Sequence, residues 1–282
     1  MSDPITQVLQ EYNSHLRSGG EPADLSRFPN PPHASEKKLS ASSLAMCDRK
    51  AAYSIMEDLG EIEADVPFSQ ELLLDFRIGN HMEEFVAQAM EWKGVLVGYQ
   101  TRLTNGHRKG RLDLEIDPKS LLGSNKNAPN WIVEIKFTKN AKPENLHKYY
   151  PKANYIAQAQ FYSDHSENRT VPVLYIAMRT TFEAVLYTWL WEDGDANVLV
   201  WDDEFGWTFH RTMPDLKAEI AESDAAQVGW METGELPPRV AQTIVKHPFL
   251  CTRYNRSTKR REASCQYLGR CWGEHAAPYM ED

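Results

Sequence analysis

Long apolar runs are missing from this chain: no stretch of its 282 residues approaches membrane-spanning length, so no membrane association is expected. The opening MSDPITQVLQEYNSHLRSGG has neither the basic nor the apolar region of a secretory leader, which leads us to expect a soluble, cytoplasmic protein. There is no GxxxxGK[ST] phosphate loop, which excludes a self-contained P-loop ATPase or helicase, so any unwinding of nucleic acid would need a helicase partner. An excess of positive charge is lacking too. Lys and Arg number 31 against 40 Asp and Glu, and the net charge of -9 argues against indiscriminate polyanion binding. No internal repeat is visible, and low complexity is confined to a polar lead-in over residues 1–36, expected to be partly mobile apart from a short helix near Ile5 to Leu16.

Cysteine is scarce, and its placement is informative. There are 4, with Cys47 near the beginning and Cys251, Cys265 and Cys271 gathered toward the end. Disulfides are disfavoured in an intracellular chain, whereas four thiolates are the number that a 4Fe-4S cluster or a structural Zn²⁺ requires. Unpaired structural cysteines are the alternative.

What the chain has is ample material for a core, with 41% hydrophobic and 11% aromatic residues. The patterning predicts a helix from Ser40 to about Glu57. A second helix is expected from about Ser69 to Lys93, with Leu73, Phe76, Met82, Phe85, Val86 and Ala89 buried, and His81 lies at the edge of that stripe. Strand-like runs follow over Val95–Thr104 and Arg108–Ile116, then WIVEIKF, a helix over about Lys152 to Ser163, and two strands in TVPVLYIAMR and EAVLYTWLWED. Beyond Asp203 the pattern turns helical.

The stretch from Gly110 to Phe137 carries the chemistry. Asp113 stands in the run GRLDLEID, and Glu134 and Lys136 alternate onto one face of the strand WIVEIKF. Two carboxylates from neighbouring strands make a hard oxygen site for Mg²⁺ or Mn²⁺, and an adjacent ammonium can neutralise charge on a phosphodiester. A solvated strand face with a surface ion pair satisfies the same pattern. Gln158 and Tyr162 lie four apart on one helical face and could meet a phosphate or a base, or simply pack. Basic residues cluster at Arg102, Arg108, Lys109 and Arg111, at Lys136, Lys139, Lys142, Lys148 and Lys152, and at Arg253, Arg256, Lys259, Arg260 and Arg261.

Taken in order, His81, Asp113, Glu134-Ile135-Lys136 and Gln158-Ala-Gln-Phe-Tyr162 resemble the RecB-type nucleases of the PD-(D/E)XK superfamily, with Leu112 standing where the motif name has proline. The flanking cysteines are similar to those of the iron-sulfur subset, which includes the AddB nuclease domain, CRISPR-adaptation exonucleases and related phage exonucleases. The resemblance spans residues 39 to 272 and implies an α/β fold: a restriction-endonuclease-like core with a mixed central sheet flanked by helices, in a nuclease domain over 37–282. It implies that His81, Asp113, Glu134 and the Ile135 carbonyl ligate the catalytic metals, that Lys136 positions or activates water, and that Gln158 and Tyr162 contact DNA or support the site. Cys47, Cys251, Cys265 and Cys271 would hold a 4Fe-4S cluster, or Zn²⁺, that ties the first helix to a tail module over 245–275. The segment TRYNRSTKRREAS would form a basic finger.

The implied activity is metal-dependent exonucleolytic hydrolysis of DNA that is single-stranded or has free ends, in recombination, repair, phage DNA metabolism or CRISPR adaptation, with oligomerisation left open. A structure-specific endonuclease, an inactive DNA-binding scaffold and a redox-sensing iron-sulfur protein are the alternatives.

Overall fold

A computed structural model of the chain describes residues 3–28, 37–123, 128–138, 143–178, 184–239, 252–255, 260–263 and 265–280. In chain order the elements begin with α1 (Pro4–Arg17), β1 (Leu39–Ser40), α2 (Asp48–Asp58) and α3 (Gln70–Trp92). Strands β2 (Leu96–Tyr99), β3 (Arg102–Asn105), β4 (Arg108–Arg111) and β5 (Leu114–Ile116) follow, then α4 (Lys119–Leu122), β6 (Asn130–Thr138), α5 (Pro143–Tyr149) and α6 (Ala153–His165). The remainder is β7 (Thr170–Met178), β8 (Ala184–Glu192), β9 (Asp195–Asp202), β10 (Gly206–Met213), α7 (Leu216–Thr233), the hairpin β11 (Thr252–Asn255) and β12 (Arg260–Ala263), and α8 (Leu268–Trp272).

Seven strands form one mixed sheet in the order β10-β9-β8-β7-β6-β5-β2. Only β6 and β7 run parallel in it, because α6 provides the crossover that a parallel pair needs; every other neighbour is antiparallel. Alternation along β6 sends Val133 and Ile135 to one face, where Ile5, Val8, Tyr12, Val86 and Met90 of α1 and α3 cover them. On the opposite face Ile156 and Ala159 of α6 pack on Leu174 and Ile176 of β7. The molecule is thus α/β, with helices on both faces of a mixed sheet, as expected. A smaller sheet, β1-β4-β3, stands apart from the main one.

Several sequence expectations are corrected by the packing. The lead-in is not peripheral: α1 repeats apolar residues at Ile5, Val8, Leu9 and Tyr12, all buried in the main core, while residues 29–36 lie outside the described part. The helix expected from Ser40 is interrupted. Ser40 caps a single 3-10 turn over Ala41–Ser43, Ala45 adopts a left-handed φ of 52°, and α2 starts only at Asp48. In α3 only the C-terminal half lies on the sheet, so Val86, Ala87, Ala89 and Met90 are buried while Leu73 and Phe76 of the expected stripe are exposed. The run Val95–Thr104 is split at Gln100, whose φ of 52° turns the chain out of the main sheet and into the small one. Past Asp203 the chain forms β10 before it turns helical; this is an edge strand whose Phe209 is exposed.

The C-terminal residues dock on the α2–α3 connection. Val66 N–H donates to the Gln266 carbonyl at 3.0 Å, Arg270 N–H to Asp65 Oδ2 at 2.7 Å, and Tyr267 Oη to Glu57. Among the described residues no helix is long and apolar enough to cross a membrane.

If α1 belongs to the core, Ile5→Ala will lower stability by about 2–5 kcal/mol, as other buried isoleucine truncations do. Urea unfolding checks this, and an unchanged midpoint would return the segment to the status of an appendage.

Candidate active site

Strand pairing brings the carboxylates together. Leu114 of β5 is paired with Val133 of β6, so the next antiparallel step sets Asp113 against Glu134. The Ile135 N–H donates to Asp113 Oδ2 at 2.8 Å, which locks the Glu134–Ile135 peptide onto the Asp113 side chain. Lys136, two residues on and therefore on the same strand face, donates to Glu134 Oε1. Glu134 is 0% exposed, and among the described residues its Oε2 finds no partner.

A third carboxylate comes from α3. Glu83 accepts from Gln100 Nε2 at 3.3 Å, and its charge is felt by Glu134. His81, the helix-borne ligand that the family resemblance implies, is not brought to this cluster. Its side chain is 82% exposed, with its Nδ1 4.0 Å from Glu84 Oε2. Two residues along a helix is more than half a turn, so His81 and Glu83 cannot share a face. The signal for Glu83 lies in the spacing: Glu83 precedes the buried Val86, Ala87 and Met90 by three, four and seven residues, a carboxylate set into an apolar stripe. No sequence signal marks Gln100, whose place follows from its left-handed backbone.

Gln158 and Tyr162 close the site from α6. Gln158 Nε2 donates to Tyr162 Oη at 3.0 Å, and both side chains are buried, Tyr162 to 2% exposure. They are a wall of the site and not an outer surface. Gly110 of β4 makes this approach feasible, because a Cβ there would stand 2.3 Å from Tyr162 Cε1.

A cleft of about 320 Å³ opens over Asp113 and Glu83, lined also by Asn80, Arg102, Lys109, Arg111, Gln158 and Tyr162. Arg108, counted with the same basic group in the sequence, is elsewhere: it is buried, donating to Asp224 Oδ1 and to the Ser40 carbonyl at 2.7 Å. A larger cavity of about 500 Å³ adjoins a neighbouring face of α6, and several of its polar side chains are engaged with one another, His165 with Asn105 and the Phe161 carbonyl, and Asp164 with Gln160. Two of the clustered carboxylates, Asp113 and Glu83, border the smaller cleft.

Three carboxylates crowd against the cations of Lys136 and Arg111. Burial, with Asp113 adding repulsion, pushes both Glu83 and Glu134 up to about 8. Burial also raises Asp113, against the pull of Lys136, the Ile135 N–H and Arg111. Burial alone would lower Lys136, but Glu134 and Asp113 outweigh it and hold the ammonium above the usual lysine range. The cluster as a whole keeps protons at neutral pH that separated carboxyls would have lost.

Among the described residues no group of three or more His, Cys, Asp or Glu side chains is arranged to hold a metal ion, and at Glu134 the ammonium of Lys136 takes one of the two oxygens. The donor set nevertheless fits a hard cation: the available ligands are carboxylate oxygens, and one buried carboxylate oxygen is left without a partner among the described residues.

The cysteines form a second locus. Cys47, at the N-cap of α2, faces Cys265 and Cys271 across a cavity of about 20 Å³ walled by Tyr53, Tyr267, Leu268 and Trp272. Burial raises the Cys47 thiol, and the two other sulfurs add to the effect. Trp272 Nε1 is buried there with no acceptor among the described residues, a donor that a thiolate or sulfide would satisfy. These donors fit a thiophilic group in kind. Cys251 lies outside the described residues, as do Lys139, Lys142, Arg256 and Lys259. The described parts of the expected basic finger are the antiparallel pair β11 and β12.

No protein-family model matches this chain, and no curated protein sequence matches it. Fold and site together define an α/β protein with a buried carboxylate–lysine cluster at the junction of β5, β6, α3 and α6.

The charge crowding sets a pH dependence. Folding raises the carboxyl affinity for protons, so the metal-free protein is most stable below about 4.5 with respect to these groups, and loses that contribution as pH rises toward about 8. Thermal unfolding of wild type should therefore fall more steeply over this interval than that of Glu134→Gln. Added Mg²⁺ or Mn²⁺ at pH 8 should raise the wild-type midpoint, because the cation takes the deprotonated carboxylates. Parallel profiles for the two proteins would show that Glu134 is not charge-stressed.

Proposed function

We propose that this protein is a metal-dependent deoxyribonuclease of the RecB-type PD-(D/E)XK class, acting as an exonuclease on DNA with a free or single-stranded end. The observation that carries this reading is the buried set of Asp113, Glu134 and Glu83 beside Lys136, of which Asp113 and Glu83 open onto a cleft rimmed by Arg102, Lys109 and Arg111.

Asp113 and Glu134 would hold Mg²⁺ or Mn²⁺, with Glu83 in the helix-borne position and the Ile135 peptide fixed beside them by Asp113. When bound, such a cation supplies Lewis-acid activation of water and neutralises charge at the scissile phosphate. Lys136 keeps its proton, since neighbouring carboxylates raise its affinity for one; it therefore serves as a hydrogen-bond donor and positive charge for the developing phosphorane oxygens and not as a base. Tyr162 retains its proton as well, because burial and the charges of Glu134 and Asp113 raise it, and with Gln158 it fixes the floor against which the phosphate lies. The basic rim holds the backbone of the incoming strand without reading its sequence.

The thiols of Cys47, Cys265 and Cys271, joined by Cys251, would hold a 4Fe-4S cluster or Zn²⁺ in a structural role. The hydrogen bonds that already tie α2 and the α2–α3 connection to residues 266–270 support this part of the reading. The presence of Asp113, Glu134 and Lys136 in bonded register favours a working site over an inactive scaffold.

With Mn²⁺ under anaerobic conditions, wild type should shorten end-labelled single-stranded and linear duplex DNA while leaving closed circles intact, and Asp113→Ala should lose at least a hundredfold of this rate. Cut circles would make the enzyme an endonuclease; equal inertness of both proteins on every substrate would sink the catalytic reading. For the thiol site, metal analysis and visible absorption after anaerobic purification should show iron with a broad charge-transfer band, or zinc without one, and Cys47→Ser should deplete either. A full-length protein that carries neither metal contradicts the assignment.

A further inference from the structure

The residue expected to meet a nucleobase, Tyr162, is walled in, which leaves the stacking of bases without an aromatic partner at that point. A short segment next to the site supplies one. From Lys148 to Tyr155 the sequence is KYYPKANY, three tyrosines and two lysines with no carboxylate among them. Tyr149 is 53% exposed, Tyr155 is half-buried, and Lys148 and Lys152 are exposed. Lys148 Nζ stands 5.3 Å from the Tyr149 ring centroid. Lys152 Nζ stands 5.4 Å from the rings of both Tyr150 and Tyr155, and Lys136 Nζ, from the carboxylate cluster, is 5.4 Å from Tyr155 as well. Tyr155 therefore joins the exposed segment to the reacting centre.

The segment is held firmly from beneath. Leu146 is fully buried and its carbonyl accepts from Tyr187 Oη at 3.2 Å. Tyr150 is buried and stacks on Tyr155 with ring centroids 6.2 Å apart and planes 13° from parallel. Arg211 donates to the Pro151 carbonyl at 2.6 Å. Aromatic faces presented on a fixed base lose little conformational freedom when a ligand stacks on them. Lysines interleaved with them favour a polyanion whose other face is apolar and flat.

We infer that Lys148, Tyr149, Lys152 and Tyr155 form a track for single-stranded DNA, in which nucleobases stack on Tyr149 and Tyr155 while the two lysines hold the adjoining phosphates and lead the strand to Lys136. The inference deepens the nuclease reading and rests on it for the direction of the strand. It commits to a strand with unpaired bases, because a duplex keeps its base faces covered by their neighbours. Stacking of this kind tolerates every sequence, since each base has a π-face.

Fluorescence anisotropy without divalent metal separates the parts, with a labelled 15-mer of thymidine and an abasic 15-mer that carries the same phosphates. Tyr149→Ala and Tyr155→Leu should weaken binding of the thymidine oligomer by about five- to a hundredfold and leave the abasic one unchanged. Tyr155→Phe should bind as wild type. Lys148→Ala and Lys152→Ala should weaken both oligomers and flatten the salt dependence by about 0.7 for each lysine removed. Thymidine binding that is unmoved by either tyrosine variant, or an equal loss on both oligomers, overturns the track. Repeating the assay with Mn²⁺ distinguishes the two levels: tyrosine-dependent binding without any cleavage overturns the nuclease reading and leaves the track. Cleavage with no tyrosine dependence does the reverse, and a wild type that neither binds nor cuts overturns both.

Discussion

Everything in this molecule is arranged around the burial of Glu134. The middle of β6, between the buried Val133 and Ile135, is an expensive place for a carboxylate, since charge taken from water is costly unless it is paired and hydrogen-bonded. Here only one oxygen is paired, with Lys136, and the other is left alone. Asp113 and Glu83 add to the crowding where a fold selected for stability alone would have placed apolar side chains. An arrangement that works against the stability of the metal-free protein is intelligible when a cation, or the transition state it serves, relieves it.

The surrounding elements are positioned by that same constraint. The main sheet sets Asp113 and Glu134 in neighbouring registers, and the parallel β6–β7 pair places α6 over the face on which Glu134 and Lys136 stand. The small sheet then matters because β4 carries Gly110, without which Tyr162 could not lie against that face, and because β3 and β4 hold the basic rim of the cleft. Arg108, buried in the same β4, anchors the 3-10 turn and α7 and so fixes the small sheet from behind.

Much of this was legible in the sequence, and the parts that were not share a cause. Period-2 alternation in WIVEIKF marks β6 and puts Glu134 and Lys136 together, which the Lys136–Glu134 bond bears out. The helical stripe of α3 was legible as a helix but not in its depth of burial. Whether Leu73 or Phe76 is covered depends on how far the sheet extends beneath the helix, and that is set by strands distant in sequence. His81 drew attention as a ligand-type residue, whereas position on the wheel favours Glu83, because the face is decided by the neighbours at three and four residues. The segment 148–155 reads in one dimension as charged and aromatic residues of no set period. It becomes a surface only when Pro151, Tyr150 and Leu146 are pinned to the core by partners on β8 and β10.

Overall charge and local charge lead to different conclusions here, and the proposed track rests on the local one. A chain at -9 repels polyanions at long range, so a DNA strand gains little from the net field of the protein. Screening limits that repulsion to about 8 Å at physiological ionic strength. A strand on the proposed track would meet Lys148, Lys152 and Lys136, with aromatic rings between them. On the proposed reading, affinity then comes from contact and not from steering, which favours a strand that can fit its bases into the track over any passing duplex. On that reading, an acidic body with a short basic path to a carboxylate cluster would select flexible single strands, and the repulsion elsewhere on the surface would contribute to that selectivity.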